Sequence, residues 1–230
     1  EAESGWDFNP RFERRCADFC PVDLNANLYI YETLFARYAL LLGDSKAAGT
    51  WKARAEKRRG LINRYCLGED GVYYDYDFVN GRRSTVVSGA VFSLLYAGIP
   101  DAEQARILVK KALGQLEFEY GIAVCEDEPY DYDYQWSYPN TWPPVVYLAI
   151  RGLDAYGYRQ DARRIAEKYA AMVVKTFGET HNLWEKYNVR EGNINVSNEY
   201  DMPTMLGWSA GTFIYASDYL DGKIDNQAKH

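Results

Sequence analysis

Histidine is almost missing from this sequence: only His181 and His230 occur among 230 residues. There are four cysteines, Cys16, Cys20, Cys66 and Cys125. Only Cys16 and Cys20 lie close together, on one face if that stretch is helical. With no second close pair and no histidine pair, the pattern argues against a structural zinc site. The cysteines read as buried free thiols, which favours a reducing, cytoplasmic compartment. Positive charge is also short, with 26 Lys and Arg against 33 Asp and Glu, a net charge of −7. No polybasic run occurs, which argues against nucleic acid and against an anionic membrane surface. No apolar run reaches the roughly 18 residues of a spanning helix, and no signal peptide is visible. The natural N-terminus is expected to lie upstream of Glu1, because the chain opens inside what reads as a site motif. No repeat of fixed period is found, which argues against an α-solenoid.

What the chain has in excess is aromatic residues, 16% of the total, with 21 tyrosines. Tyr and Trp combine an apolar face with a polar edge, the combination a sugar needs for stacking and for its hydroxyls. A large helical core is the simpler use of the same residues. At 47% hydrophobic, the chain can bury such a core as one domain.

The periodicity predicts about seven helices. The first starts at Pro21-Val22-Asp23, carries Leu24, Leu28, Tyr31, Phe35, Tyr38 and Leu42 at helical spacing, and ends at Gly43-Asp44. A polar helix over 45–65 follows, with Trp51, Ala55 and Leu61 inward and Lys52, Arg54, Lys57 and Arg58 as a solvated face. Residues 71–84, with Asn80-Gly81 at the turn, predict a hairpin. An inner helix is expected over 85–97, and an amphipathic one from Asp101, a plausible N-cap, to about Leu116. A second inner and outer pair is expected over 143–155 and 161–177, and a last inner helix over 204–220. Residues 126–134 form an acidic, tyrosine-rich loop. Its Glu126, Asp127, Glu128, Asp131 and Asp133 read as solvated rather than as a Ca²⁺ site, and no cofactor or metal is implied. Helices that alternate between apolar all round and one-sided predict an all-α fold of the α/α toroid type, (α/α)6-barrel-like. This chain supplies about half of it, over 1–220, with 221–230 a frayed tail.

Three stretches carry candidate chemistry. In Glu3-Ser4-Gly5-Trp6-Asp7-Phe8, Gly5 permits a sharp turn, and rings that exclude water favour the neutral form of a carboxyl, as a general acid requires. An aspartate in a turn between core aromatics is the plainer reading. Gln135-Trp136-Ser137-Tyr138-Pro139-Asn140-Thr141-Trp142-Pro143-Pro144 suits a sugar subsite, with rings for stacking and Gln135 and Asn140 for hydroxyls. A Pro-rich helix entry packed on tryptophans fits the same residues. The third stretch holds Glu185-Lys186-Tyr187-Asn188, then Asn198-Glu199-Tyr200 and Gly207-Trp208.

These stretches, in this order, resemble the C-terminal half of the catalytic domain of trehalases, glycoside hydrolase family 37. Residues 3–8 with Arg11 resemble the family's Glu-Ser-Gly-Trp-Asp-Phe-Ser-Ser-Arg-Trp segment, and Pro21 to Ala26 its next motif. Residues 135–144 resemble its Gln-Trp-Asp-Tyr-Pro-Asn-Gly-Trp-Ala-Pro signature. Glu185-Lys186-Tyr187 resembles Glu-Lys-Tyr-Asp, and Glu199-Tyr200 with Trp208 its Glu-Tyr and following Gly-Trp. The resemblance implies an (α/α)6 toroid and inverting hydrolysis of an α-glucosidic bond, with Asp7 as general acid and Glu199 as general base. Gly5, Trp6, Arg11, Gln135, Trp136, Asn140, Trp142, Glu185 and Trp208 match positions around a small carbohydrate substrate. Inversion takes the two carboxyl groups about 6.5–9.5 Å apart, with a water between.

Departures from the family pattern are Ser137 for Asp, Thr141 for Gly, Asn188 for Asp, and Asn193-Ile194-Asn195-Val196-Ser197-Asn198 for a Gly-rich run. They lie in loops expected to shape the pocket. The family's Arg-rich sugar-clamping signature is absent, so a further N-terminal segment or a partner chain is expected to complete the toroid. The altered loops admit a related α-glucosidase or α-mannosidase of the processing-glucosidase type. The missing clamp admits a non-catalytic carbohydrate-binding half toroid.

Overall fold

The computed structural model describes residues 4–224; Glu3 and most of the expected tail lie outside them. The described residues form seven α-helices: α1 (Val22–Leu41), α2 (Ser45–Tyr65), α3 (Val91–Ala97), α4 (Ala102–Leu116), α5 (Pro143–Ala155), α6 (Arg159–Thr180) and α7 (Gly207–Leu220). Helix α1 packs on α3, α3 on α5, and α5 on α7, an inner arc in sequence order. Helix α2 lies against α1, and α6 against α5 and α7. The chain is thus an all-α partial toroid, and no helix among the described residues is long and apolar enough to cross a membrane.

Local chemistry sets the element ends. Asp101 and Gln104 form a reciprocal capping box at the start of α4, which satisfies two otherwise unpaired backbone donors. Two prolines open α5, where their missing N–H groups cost nothing. The α3–α5 crossing is close because residue 152 is glycine. A Cβ there would lie 2.8 Å from that of Leu95 and 3.1 Å from the Tyr96 nitrogen.

The α1–α2 hairpin is locked by a polar contact. Arg58 donates to both oxygens of the buried Glu32 at 2.9 Å and to the Asn25 side chain at 3.0 Å. The apolar positions of α1, by contrast, face away from the core. Leu24, Tyr31, Phe35, Tyr38 and Leu42 are all about half exposed or more, while Val22, Ala26 and Glu32 are buried. The edge helix of an incomplete ring has this character: its spacing is helical, but apart from Phe35, which meets Trp51 of α2 at 4.9 Å, its apolar stripe is largely uncovered among the described residues.

Three differences from the sequence reading have physical reasons. Leu61 is exposed and Ile62 takes the inward position with Ala48 and Ala55. The inner helix expected over 85–97 begins at Val91, because Ser88 bridges Cys125 and the Gly89 N–H donates to the Val124 carbonyl, which keeps 85–88 out of the helix before a turn at 89–90. Cys16 and Cys20 are half-buried, in a 3-10 turn and a strand rather than on one helix. The predicted hairpin is present as β2 (Tyr76–Asp77) and β3 (Arg82–Arg83), joined on its other edge by β1 (Phe19–Cys20). Two further ribbons occur, β4 (Glu117–Phe118) with β5 (Gly121–Ile122), and β6 (Asn140–Thr141) with β7 (Tyr187–Asn188).

Candidate active site

Three loops meet at one end of the inner arc. The first is residues 4–9. Gly5 adopts φ +75°, a conformation that disfavours side chains, and turns the chain so that the Trp6 N–H donates to Ser4 Oγ at 3.1 Å. Asn9 then donates to the Trp6 carbonyl and accepts from the Arg11 N–H. Arg11 is wholly buried. Its Nε and Nη2 grip Asp75 at 2.8 and 2.9 Å, and Nη2 also reaches Asp23 at 2.8 Å. Its guanidinium lies over the Trp6 ring at 4.4 Å. Burial alone would favour the neutral form, but Asp23 and Asp75 more than offset it, so the group stays charged.

The second loop is 135–142. The Trp136 N–H donates to the Phe8 carbonyl at 3.1 Å, fastening this loop to the first. The Trp136 ring lies between Trp6, 4.8 Å away, and Trp142, stacked at 4.1 Å and 9°. The Gln135 carbonyl accepts from Asn140 Nδ2 at 2.8 Å and Trp142 Nε1 at 3.0 Å. Pairing of β6 with β7, Asn140 opposite Asn188 and Thr141 opposite Tyr187, brings in the third segment with Glu185 and Lys186. Asn140 also donates to the Ser197 carbonyl at 3.1 Å and so anchors the loop that carries Glu199.

These supports converge on one amide. Gln135 Nε2 donates to Asp7 Oδ2 at 2.7 Å and to Glu199 Oε2 at 3.0 Å. The two carboxylates, far apart in sequence, therefore share a single donor. Those two oxygens can be no farther apart than the two bonds laid end to end, and the amide lies between them. Asp7 is half-buried and Glu199 exposed. What burial Glu199 has, together with the negative charge of Asp7, raises its pKa; Lys186 opposes the rise. Lys186 itself is buried, 3.0 Å from Glu185 Oε2, and Tyr200 donates its hydroxyl to both Glu185 oxygens.

Most residues expected to touch a sugar lie one layer beneath the surface. Trp6, Arg11, Gln135, Trp136, Asn140, Trp142 and Glu185 are between 0 and 7% exposed. The faces of Trp136 are covered by other indoles, so its ring and that of Trp142 hold up the site instead of offering stacking surfaces. Gly5, Phe8 and Tyr200, near the carboxylates along the chain, are exposed, as is Trp208, whose indole N–H donates to the Glu185 carbonyl. The altered signature residues Ser137 and Thr141 are also buried, and Asn188 spends its side-chain oxygen on the Arg190 and Glu191 amides; none of the three shapes an open pocket. In the acidic loop, Glu126 accepts from the Val87 N–H, Asp131 pairs with Arg14, and Asp133 accepts from Ser197. No group of three metal-ligating side chains forms among the described residues. A cavity of about 440 Å³ lies elsewhere, lined by Cys20, Arg58, Tyr65, Cys66, Tyr76 and Phe78.

Lys186 and Tyr200 belong to this network; sequence reasoning named both within motifs and gave neither a role. The available signal was their position, each directly following an acidic residue already singled out.

A family model described as trehalase matches residues 2–220. Among solved structures, the neutral trehalase Nth1 from Saccharomyces cerevisiae is 30% identical, with a TM-score of 0.81 over 96% of this chain and 43% of its own. A GH63 mannosylglycerate hydrolase from Thermus thermophilus, solved with glucose, is 21% identical, with a TM-score of 0.68 over 86% of this chain and 48% of its own; it shares the fold. The chain thus spans less than half the length of these two structures.

Proposed function

Since the chain belongs to the trehalase family, we propose that it carries the acid and base of an inverting glycoside hydrolase that splits α,α-trehalose into two glucose molecules. The observation that supports this most is the convergence of Asp7 and Glu199 on one amide. In the reaction, Asp7 protonates the glycosidic oxygen as the bond breaks. Glu199, as carboxylate, takes a proton from the water that attacks the opposite face of the anomeric carbon. Gln135, donating to both, holds the two carboxylates toward one place, where the glycosidic oxygen meets Asp7 and the water meets Glu199. Phe8, Tyr200 and Trp208 supply the open rings against which a sugar packs.

The close approach of one oxygen from each carboxylate also fits a second reading, a retaining mechanism, in which the two groups stand about 5–5.5 Å apart. The inverting reading is preferred because the amide, rather than an empty gap, sets that approach.

The exposed apolar stripe of α1 supports a further part of the proposal, that another toroid segment covers this face and supplies the remaining sugar contacts. A panel of disaccharides tests the substrate. The protein, with that segment present, is expected to hydrolyse trehalose at least about tenfold faster than maltose or α-mannosides, on kcat/KM. Preference for another α-linked sugar would place it with the processing-glucosidase type. Binding of trehalose without turnover would leave only a carbohydrate-binding module.

A further inference from the structure

We propose that Lys186 is the positioning residue of this site, fixing the orientation of the Gln135 amide and keeping the Glu199 carboxylate ionised. The proposal rests on the assignment of Asp7 and Glu199 as the reacting pair and adds to it a source for their charge balance.

The argument starts from what each end of an amide can do. A glutamine nitrogen only donates and its oxygen only accepts. The Gln135 nitrogen faces two carboxylates, Asp7 and Glu199, and its oxygen faces Lys186 Nζ at 3.5 Å. A lysine ammonium offers donors alone, so the flipped amide would set its NH₂ against the ammonium and its oxygen against two anions. The cation therefore selects the one orientation that serves both carboxylates. It does so from behind the amide, without entering the space where substrate must sit.

The ammonium is itself held in place. It is wholly buried, 3.0 Å from Glu185 Oε2, and packs over the rings of Trp142 at 4.7 Å and Tyr200 at 5.1 Å. Those aromatic faces favour a cation. Tyr200 donates to both oxygens of Glu185, so the carboxylate nearest the ammonium has its own hydrogen bonds. The ionisable groups around Lys186 are Glu185, Asp7, Glu199 and Tyr200. Desolvation pushes the Lys186 pKa down, while Glu185, Asp7 and Glu199 push it up. One ammonium thus faces three carboxylates. The ammonium contacts Glu185 and attracts Asp7 and Glu199 as well.

The sign of the effect follows. Glu199 must be ionised to act as base, so kcat/KM falls as pH drops through its pKa, which lies above the ordinary glutamate value. Removing the Lys186 charge takes away the influence that lowers that pKa. The acidic limb of the profile therefore moves to higher pH.

The test is the pH dependence of kcat/KM in Lys186→Met, a replacement of similar reach that carries no charge. On the acidic limb, activity relative to wild type is expected to fall about tenfold further than on the plateau. Lys186→Arg, which keeps the charge, should leave the limb near the wild-type position. Lys186→Gln provides the same measurement if the methionine variant does not fold. A uniform loss at every pH, with the limb unmoved, overturns the proposal and leaves Lys186 a packing residue. Glu199→Ala, run alongside, separates this from failure of the catalytic reading: turnover that survives that change removes Glu199 as the base, whatever Lys186 does.

Discussion

Glu199→Gln is expected to lower kcat for trehalose by about 10³-fold, and Asp7→Asn by a similar factor, within the range that general acid–base groups contribute. Both replacements keep the shape of the side chain and remove only its ability to carry or release a proton. Both should also fold, because Glu199 is exposed and Asp7 half-buried, and each retains an oxygen able to accept from Gln135. The two variants part company on a substrate whose leaving group needs no proton. On α-glucosyl fluoride, Asp7→Asn should recover most of the wild-type rate, because departure of fluoride does not need the acid. Glu199→Gln should stay inactive, because the water still lacks its base. The reverse pattern would exchange the two roles. Equal loss on both substrates would mean that the variants had disturbed binding.

Arg11→Met is expected to be the most damaging change to stability. The guanidinium neutralises Asp75, itself 2% exposed, and also pairs with Asp23 in the first turn of α1. Asp75 in turn accepts from the Val22 N–H at the start of that helix. Breaking a buried ion pair by removing one partner costs about 3–5 kcal/mol. In a chain of this size that corresponds to a fall in Tm of roughly 6–20 °C, measurable by circular dichroism. The double variant Arg11→Met with Asp75→Asn should recover part of the loss, since it removes the stranded charge. A fall of only a degree or two in the single variant would show that the buried pair adds little. The change should also weaken catalysis, because Arg11 lies under Trp6, next to Asp7.

The helices were readable because their ends carry local chemistry. The start of α5 and the cap of α4 follow from Pro143 and Asp101 alone. The start of α3 did not, since an apolar run is equally consistent with helix and with a buried extended segment, and the bridge that keeps Ser88 out of the helix comes from Cys125, distant in sequence. The apolar stripe of α1 gave the right period but could not reveal that most of it is exposed. At the site, the acidic pair was legible through motif order. The roles of the rings were not: composition counts a tryptophan without saying which of its faces is covered, and Trp136 has neighbours on both sides. The role of Lys186 was missed for a related reason. A buried ammonium is exceptional, and only the fold shows the three carboxylates that hold it there.

The configuration of the first sugars released decides between the mechanisms that two facing carboxylates allow. Proton NMR of trehalose hydrolysis, recorded before mutarotation, is expected to show β-glucose and α-glucose in equal amounts. The attacked ring inverts, and the leaving ring keeps its α bond to oxygen. Release of α-glucose alone would mean that a covalent intermediate forms, and that water does not attack between Asp7 and Glu199 as described.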